Sequence, residues 1–325
     1  MSKEHLSDYH YDLPPELIAQ RPTARREDSR MLVVNRQSGT LTHASFRDFP
    51  SHVQAGDIVA LNDSRVIKAR LLSEDSRTEC LLLEAEDPTT WKCLMRPGRK
   101  MRVGVSLPLA GTIAHVVGIY PGGERRVKFD SPPDLEQYGH LPIPPYFHRT
   151  SDAADDERYQ TVYAKESGSI AAPTAGLHFT PEILAKIPHT FLTLHVGAGT
   201  FLPVKTDNLA DHFMHEERYS IPRQTAEALN TATRTIAVGT TVMRVLESQL
   251  PGLLQERTGR TDIFIRPPFA FQHVGALLTN FHLPCSTLLM LVCAFAGYDV
   301  AMAAYAEAVR DKYRFFSYGD CMLIE

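Results

Sequence analysis

Residues 235–250, TIAVGTTVMRVLESQL, carry the pattern that decides the fold. The apolar run TIAV predicts a buried strand, the following glycine predicts a turn, and Val242, Val245 and Leu246 then recur on one face of a helix. The same order of strand, polar turn and helix returns from ALLTNFHL at 276–283 onward. Strands that alternate with helices along a chain predict an α/β layer fold.

The middle of the chain has a different pattern. Short runs such as IVAL, ECLLLEA, WKCLM and IAHVVGIY are separated by Gly, Pro and Asp, and no amphipathic helix interrupts them. This spacing is typical of small barrels and sandwiches. The proline-rich stretch SPPDLEQYGHLPIPPYF then predicts an extended exit from the module. We therefore predict a larger layered α/β domain at residues 1–60 and 151–325, with a small β-barrel domain inserted at residues 61–150.

Two glycine-rich pieces in residues 169–201 indicate a ligand site. SIAAPTAGLHFT places Thr174 and His178 beside small residues, and TLHVGAGTF does the same for His195. Glycine lets a ligand approach the backbone closely, while hydroxyl and imidazole groups can contact it. Either piece alone fits a tight turn with a core histidine equally well. The two pieces together favour a site.

Three polar turns follow predicted strands, at residues 197–200, 239–241 and 279–282. In open α/β sheets ligands bind beyond the carboxyl ends of the strands, so we expect these turns to meet in one pocket. The turn at 239–241 also opens a helix, whose free amides favour a carboxylate or phosphate. Arg244, one turn later, is the predicted bidentate partner of that anion.

Composition and motifs exclude several classes of protein. The five cysteines are scattered without a CxxC pair, which argues against a disulfide framework or a zinc cluster. The longest apolar run, 288–296, is too short to cross a bilayer, and the N-terminus has no signal-peptide core, so we expect a cytoplasmic protein without membrane contact. There is no P-loop, GxGxxG or GxSxG sequence.

The formal charge of −4 argues against a generic polyanion binder, so any nucleic-acid contact must be local. The basic stretches RPTARR, RPGRKMR and RDKYR are candidates, although such runs are usually solvated faces. DHFMHEE, with His212 and His215 three residues apart, is a candidate metal segment. It matches no HExxH-type signature, so a polar surface segment is the favoured interpretation.

Taken in order, AAPTAGLHFT, TLHVGAGTF, DHFMHEE, AVGTTVMRVLES, TNFHLPCSTLLMLVCAFAG and YRFFSYGD resemble the S-adenosylmethionine:tRNA ribosyltransferase-isomerase family of the queuosine pathway. The resemblance begins at YDLPPELIAQRP, continues through LNDSRVIKARL and LPIPPY, and covers nearly the whole chain. It implies an α/β domain carrying a small β-barrel. It also implies that the ribosyl unit of S-adenosylmethionine is transferred to 7-aminomethyl-7-deazaguanine at the tRNA wobble position and isomerised, giving epoxyqueuosine, adenine and methionine.

The implied reaction needs a base that removes a proton from the 5′ carbon, which the adjacent sulfonium acidifies. Ring opening then expels adenine, the uncharged acceptor amine adds, and the ylide closes on the aldehyde as methionine leaves. Because histidine carries protons near neutral pH, we expect His178, His195 and His282 to supply the base and the acid. The donor is consumed as a co-substrate, so no resident cofactor or metal is predicted, and a monomer is expected.

The remaining predicted contacts follow from residue type and position. Those to the substrate are Thr174, Gly197, Gly199, Thr200, Thr240, Thr241, Arg244, Glu247, Asn280, Tyr318 and Asp320. Those to RNA are Arg65, Tyr146 and Arg314, because unstacked bases are held by aromatic or guanidinium planes. Two alternatives stay open: a metal-dependent hydrolase using His212 and His215, and a non-catalytic RNA-binding module built on the β region.

Overall fold

The structure is a computed structural model that describes residues 3–197, 199, 204 and 206–325. The strands are β1 (Arg30–Val34), β2 (Leu41–Ser45), β3 (Asp57–Asn62), β4 (Ser64–Val66), β5 (Arg70–Leu72), β6 (Glu79–Ala85), β7 (Thr90–Arg96), β8 (Ser106–Leu109), β9 (Thr112–Ile119), β10 (Arg125–Phe129), β11 (Gly139–His140), β12 (Glu166–Ser169), β13 (His189–Leu194), β14 (Glu217–Ile221), β15 (Arg234–Val238), β16 (Arg257–Thr261), β17 (Ala276–Asn280) and β18 (Cys321–Ile324).

The helices are mostly short and follow strands of the second half of the chain. The α-helices are α1 (Leu135–Tyr138), α2 (Ala153–Arg158), α3 (Pro181–Leu184), α4 (Arg223–Thr231), α5 (Thr240–Glu247), α6 (Thr287–Ala296) and α7 (Tyr298–Arg310). Single-turn 3-10 helices include Gly98–Lys100, Pro145–Phe147 and Thr174–His178. No single helix among the described residues is long and apolar enough to cross a membrane; α6 and α7 would qualify by length and composition only as a pair bent by 117°.

A nine-stranded mixed sheet has the order β16-β14-β13-β3-β15-β17-β18-β1-β2. Its centre, β13-β3-β15-β17, is parallel, so these four strands end at the same edge. Strand β18 runs antiparallel to β17, with Asn280 opposite Cys321. The residues just before β18 therefore lie at the edge where the parallel strands end.

A second, seven-stranded antiparallel sheet has the order β11-β5-β6-β7-β10-β9-β8 and uses residues 70–140. It interrupts the chain between β3 and β13, which are neighbours in the large sheet. Its end strands β11 and β8 do not pair with each other within this fully described segment. The sheet is therefore open between β11 and β8, so these pairings do not close it into the small β-barrel that the sequence predicts.

The large sheet is covered on both faces, because successive residues of its strands point to opposite sides. On β17, Leu277 belongs to a buried cluster with α5, α6 and α7, while Leu278 packs into a second cluster with Phe46 and Phe179. The seven-stranded sheet has a buried cluster of its own, which includes Leu71, Cys80, Leu82, Cys93 and Val127. The fold is thus a mixed α/β structure with two large sheets.

Local signals in the sequence place the helices near the site. Thr180 caps α3 through its side-chain oxygen, and Pro181 occupies the first helical position, as predicted. Gly297, with φ of +87°, ends α6 as predicted. The apolar residues of FFSYGDCMLI predict a long last strand, but the strand begins only at Cys321. Phe316 has a left-handed φ of +69°, which turns the chain away from an extended path before that strand.

Candidate active site

A cavity lies beyond the ends of β15 and β17. The residues that line it are Tyr146, Tyr159, Ala171, Ala172, Pro173, Thr174, Ala175, Val196, Gly239, Thr240, Thr241, Thr279, Asn280, Phe281, His282, Leu283, Ser286, Leu288, Phe316 and Ser317. Two of the three predicted polar turns, 239–241 and 279–282, therefore meet here. Of the third turn, the described residues Gly197 and Gly199 do not line the cavity, whereas the adjacent Val196 does. The parallel centre of the sheet explains the convergence, because these strands end at a common edge.

The turn between β15 and α5 gives the cavity its polar wall. Gly239 has φ of +88°, a conformation that strains side-chain-bearing residues, and its amide donates to the Leu278 carbonyl at 2.7 Å. Helix α5 begins at Thr240, and the amides of a first turn have no partner within the helix. The buried hydroxyl of Thr241 also has no hydrogen-bond partner among the described residues. This wall can accept an anionic or hydrogen-bonding group.

His282 is the one predicted catalytic histidine whose residue lines the cavity in the described part of the chain. Its Nε2 lies 2.9 Å from Thr279 Oγ1, and its backbone amide donates to Tyr305 Oη at 3.0 Å. Burial lowers the pKa of His282 to about 3. The imidazole is therefore neutral at neutral pH and has a free lone pair for a proton, although the lowered pKa makes it a weaker base than an exposed histidine.

His178 lies behind the cavity wall and does not line it. Its Nδ1 is 2.9 Å from Ser29 Oγ, and its Nε2 is 3.1 Å from Asn280 Oδ1. Since an amide oxygen only accepts, Nε2 carries the proton and Nδ1 accepts from Ser29. Burial lowers the pKa of His178 to about 4. Asn280 Nδ2 in turn donates to the Phe316 carbonyl at 2.9 Å, so His178 orients the amide that holds the turn before β18.

A stacked aromatic pair forms another wall of the cavity. The rings of Tyr146 and Phe316 have centroids 4.6 Å apart and an interplanar angle of 24°. The Tyr146 hydroxyl lies 2.6 Å from Ser317 Oγ, and burial raises the pKa of this phenol. Phe316 belongs to a buried core cluster and also lines the cavity, and Ser317 lines the cavity beside it, so both are site residues that no motif singled out. The only signal for them was their place in FFSYGD, just ahead of the last strand.

Arg244 does not have the predicted role in the structure. It is buried and forms an ion pair with Glu217, whose other carboxylate oxygen accepts the Gly197 amide at 3.0 Å. A guanidinium neutralised in this way braces the backbone beside Val196, and Arg244 is not among the residues that line the cavity. The prediction from sequence rested on helical position alone and could not include Glu217, which lies on β14.

Two carboxylates predicted to contact the substrate, Glu247 and Asp320, accept hydrogen bonds from backbone amides. Glu247 accepts from the amides of Gln272, His273 and Val274 at 2.8 to 3.0 Å. Asp320 accepts from the amides of Arg30 and Arg314 at 2.9 and 2.8 Å, and burial raises its pKa. Both carboxylates fix loops that border the site, and neither lines the cavity.

The remaining predicted residues are dispersed. His195 lines a separate depression with Arg218 and Arg260, and burial followed by the nearby Arg218 charge lowers its pKa. Tyr318 is buried and donates to Asp155 Oδ1 at 2.8 Å. Three more predicted residues do not line the cavity. Gly199 lies against the His215 ring, Arg65 is exposed, and Arg314 donates to the Arg21 carbonyl. Thr200 lies outside the described residues.

The candidate metal segment does not assemble ligands. In the described part of the chain, residues 211–217 contribute no group of three metal-ligating atoms, and Glu217 is paired with Arg244. A group of three does occur elsewhere, at His43, Glu307 and Asp311. These residues hydrogen-bond to one another, and the guanidinium of Arg310 bonds both carboxylates, so the cluster is an exposed ion-pair network.

Comparison with known proteins places the chain in a family. A family model described as "Queuosine biosynthesis protein" matches residues 6–324. The chain is 48% identical over 342 residues to the S-adenosylmethionine:tRNA ribosyltransferase-isomerase of Natranaerobius thermophilus, across 98% of this chain and 99% of that protein. It is 47% identical over 342 residues to the enzyme of the same name from Syntrophotalea carbinolica, with the same coverage.

A solved structure agrees with these matches. The crystal structure of S-adenosylmethionine tRNA ribosyltransferase from Thermotoga maritima is 39% identical, with a TM-score of 0.57, and the match covers 98% of this chain and 100% of that one. The likeness thus extends over nearly the whole length of both chains. This chain belongs to the queuosine biosynthesis protein family whose matched members are named S-adenosylmethionine:tRNA ribosyltransferase-isomerase.

Proposed function

We propose that this protein transfers and isomerises the ribosyl unit of S-adenosylmethionine onto 7-aminomethyl-7-deazaguanine at the wobble position of tRNA. The products are epoxyqueuosine in tRNA, adenine and methionine. The observation that carries the proposal is the end-to-end match to relatives of that name, from residue 6 to residue 324. A cavity at the carboxyl edge of a parallel sheet, lined by hydroxyls, an imidazole and four aromatic residues, offers the groups the reaction needs.

The donor occupies the part of the cavity beside α5 in this proposal. The methionyl carboxylate of the donor meets the first-turn amides at Thr240 and the unpartnered hydroxyl of Thr241, where the helix dipole favours a negative charge. Thr174 lines the same cavity and supplies a further hydroxyl. Gly239, whose φ of +88° favours glycine, has no side chain to keep a ligand away from the backbone of this turn.

His282 is the base in this proposal. It lines the cavity, and its depressed pKa keeps the ring neutral and able to accept the 5′ proton of the donor. Thr279 contacts Nε2 and fixes the ring orientation. His178 is a positioning residue, because it acts on the cavity through Asn280. The acceptor amine adds to the opened ribosyl unit only in its uncharged form, which a largely apolar cavity favours.

The wobble base lies against Tyr146 and Phe316 in this proposal. A modified base must leave the anticodon stack before it can react, and aromatic faces hold extruded bases. The pair already stacks at 4.6 Å, so the base would extend an existing stack or displace one ring. Asn280 sets the position of the pair through the Phe316 carbonyl.

Domain organisation belongs to the same proposal. Residues 61–150 form a small domain inserted into a layered α/β domain made of residues 1–60 and 151–325, and the separate buried cluster of the seven-stranded sheet supports this division. The protein works as a monomer in the cytoplasm, where its tRNA substrate is found. It needs no resident metal or cofactor, because the donor brings its own leaving groups.

The test is a product assay. Purified protein is incubated with S-adenosylmethionine and a tRNA anticodon stem-loop that carries the 7-aminomethyl-7-deazaguanine base, and free adenine is measured. Adenine released in equal amount to epoxyqueuosine in the RNA is the expected result, and omission of the RNA should stop the reaction. Methyl transfer to the RNA, or RNA binding with an intact donor, would contradict the proposal.

A further inference from the structure

Residues 88–123 contain five Lys or Arg residues and no Asp or Glu. The whole chain has a formal charge of −4, so everything outside this segment carries a formal −9. Four of these cations lie in residues 96–102, which run from the last residue of β7 into the loop before β8. We name residues 96–102 the basic loop. Such a local excess on an acidic protein is the electrostatic footprint expected of a polyanion contact.

The cations of the basic loop are available to a partner. Arg96, Arg99, Lys100 and Arg102 are all exposed, and none of them forms an ion pair with a carboxylate of the described residues. Several other cations of the same sheet are paired, as Lys92 is with Glu124 at 3.1 Å and Arg126 is with Glu86 at 2.7 Å. An unpaired cation keeps its full charge for a ligand, and no carboxylate of this segment competes for it.

The loop is also held in one shape. The guanidinium of half-buried Arg125 donates to the carbonyl oxygens of Gly98, Met101 and Gly123, with Nε 2.8 Å from the Met101 oxygen. The Met101 side chain is buried in the core of the seven-stranded sheet. Because loop and sheet are already fixed, a ligand does not have to order the loop, and less entropy is lost on binding.

The segment beside this loop lies near the large domain. Arg125 joins the basic loop to Gly123, and the adjacent Glu124 lies near His215 of the large domain. Burial raises the pKa of Glu124, but its own backbone amide, Lys92 and the His215 charge together hold it below the usual value. The His215 ring packs against Gly199. Gly199 follows two residues after Gly197, whose amide donates to Glu217.

We propose that the basic loop binds the tRNA phosphate backbone and so holds the substrate while the wobble base enters the cavity. This inference rests on the proposed function for the identity of the RNA. Exposed guanidinium and ammonium groups suit phosphate oxygens, and such contacts fix register without reading sequence. A solvated surface without a partner is the competing interpretation, and the salt dependence of RNA use separates the two.

The experiment measures kcat/KM for tRNA across a series of potassium chloride concentrations. The variant combines Arg99→Ala, Lys100→Ala and Arg102→Ala. Log(kcat/KM) falls as log[salt] rises, and each lost phosphate contact makes this negative slope shallower by about 0.9. The slope of the variant should therefore be shallower by roughly 2 to 3. The KM for tRNA rises, whereas kcat at saturating tRNA and the KM for S-adenosylmethionine stay within about twofold, since phosphate contacts act on RNA binding alone.

Two controls make the result specific. Lys186→Ala, Arg223→Ala and Arg257→Ala together remove the same charge from exposed positions elsewhere and should leave the slope nearly unchanged. Arg99→Lys with Arg102→Lys keeps the charge and should retain the wild-type slope. An unchanged slope in the alanine variant, or an equal loss in the control triple, would overturn the proposal.

The two proposals can fail separately. If wild-type protein releases no adenine, the proposed function fails, and equilibrium binding of the same tRNA at several salt concentrations still tests the basic loop. If kcat collapses in a folded loop variant while the slope is unchanged, the loop acts in the chemistry and the docking proposal is wrong. Circular dichroism of each variant checks that it is folded.

Discussion

Acidification from pH 7 to pH 5 should destabilise the protein by about 4 kcal/mol through His178 and His282 alone. The pKa of a histidine in an unfolded chain is about 6.5, whereas burial lowers it to about 4 for His178 and to about 3 for His282. Between these values the unfolded state binds protons that the folded state does not. Stability is therefore complete above pH 6.5 and is lost as the pH falls toward the folded pKa.

The magnitude follows from the protonation of the unfolded state. At pH 5 the unfolded histidine lies about 1.5 pH units below its pKa, and each unit is worth about 1.4 kcal/mol, so each residue contributes roughly 2 kcal/mol. The folded imidazoles stay neutral at pH 5, so the result depends little on how far below that pH their pKa values lie.

Urea unfolding at pH 5, 6, 7 and 8, followed by circular dichroism, measures this effect. His178→Gln and His282→Gln should each reduce the acid-induced loss by about 2 kcal/mol, although His178→Gln also loses stability at every pH because Ser29 loses a buried partner. His10→Gln, at an exposed position, is the matched control and should leave the pH dependence unchanged. If both buried-site variants lose as much stability as wild type between pH 7 and pH 5, the assignment of two neutral buried imidazoles is wrong.

Three further outcomes are expected. His282→Ala should lower kcat by about 10² to 10⁴ with little change in the KM for tRNA, as loss of a general base does; equal turnover would remove it from the chemistry. Tyr146→Ala should raise the KM for tRNA by roughly 5- to 150-fold, since base stacking is worth about 1 to 3 kcal/mol, while Tyr146→Phe should retain most of the affinity. Arg244→Gln should cost about 3 to 5 kcal/mol of stability in thermal unfolding by leaving buried Glu217 unpaired, and a folded variant with raised donor KM alone would restore the substrate role predicted from sequence.

Periodicity and turn signals were enough to predict the alternation of strands and helices. TIAVGTTVMRVLESQL forms β15 and α5, and LLMLVCAFAG forms α6 up to the predicted stop at Gly297. The convergence of Gly239, Thr240 and His282 was also predictable, because parallel strands share a carboxyl edge. The sequence pattern could not predict whether the small sheet closes. The pairing of β8 with β11 depends on the twist and stagger of the strands, which are not local properties of the sequence.

Long-range partners separate several of the predicted residues from the cavity. Arg244 has a helical position suited to an anion, yet Glu217 from β14 neutralises it, and Glu247 accepts three amides of a distant loop. His195 shares its turn with a residue that lines the cavity, but its own side chain lies in another depression. Phe316 and Ser317 carry no motif of their own, and their place in the cavity wall depends on the turn ahead of β18, which Asn280 holds through the Phe316 carbonyl.

The most direct test of the site is a crystal structure of the protein with S-adenosylhomocysteine, which lacks the reactive sulfonium. We expect its carboxylate at the amides of Thr240 and Thr241, and its ribose within reach of His282. Density for this compound in the depression beside His195, Arg218 and Arg260, with the cavity at Thr240 empty, would contradict the account.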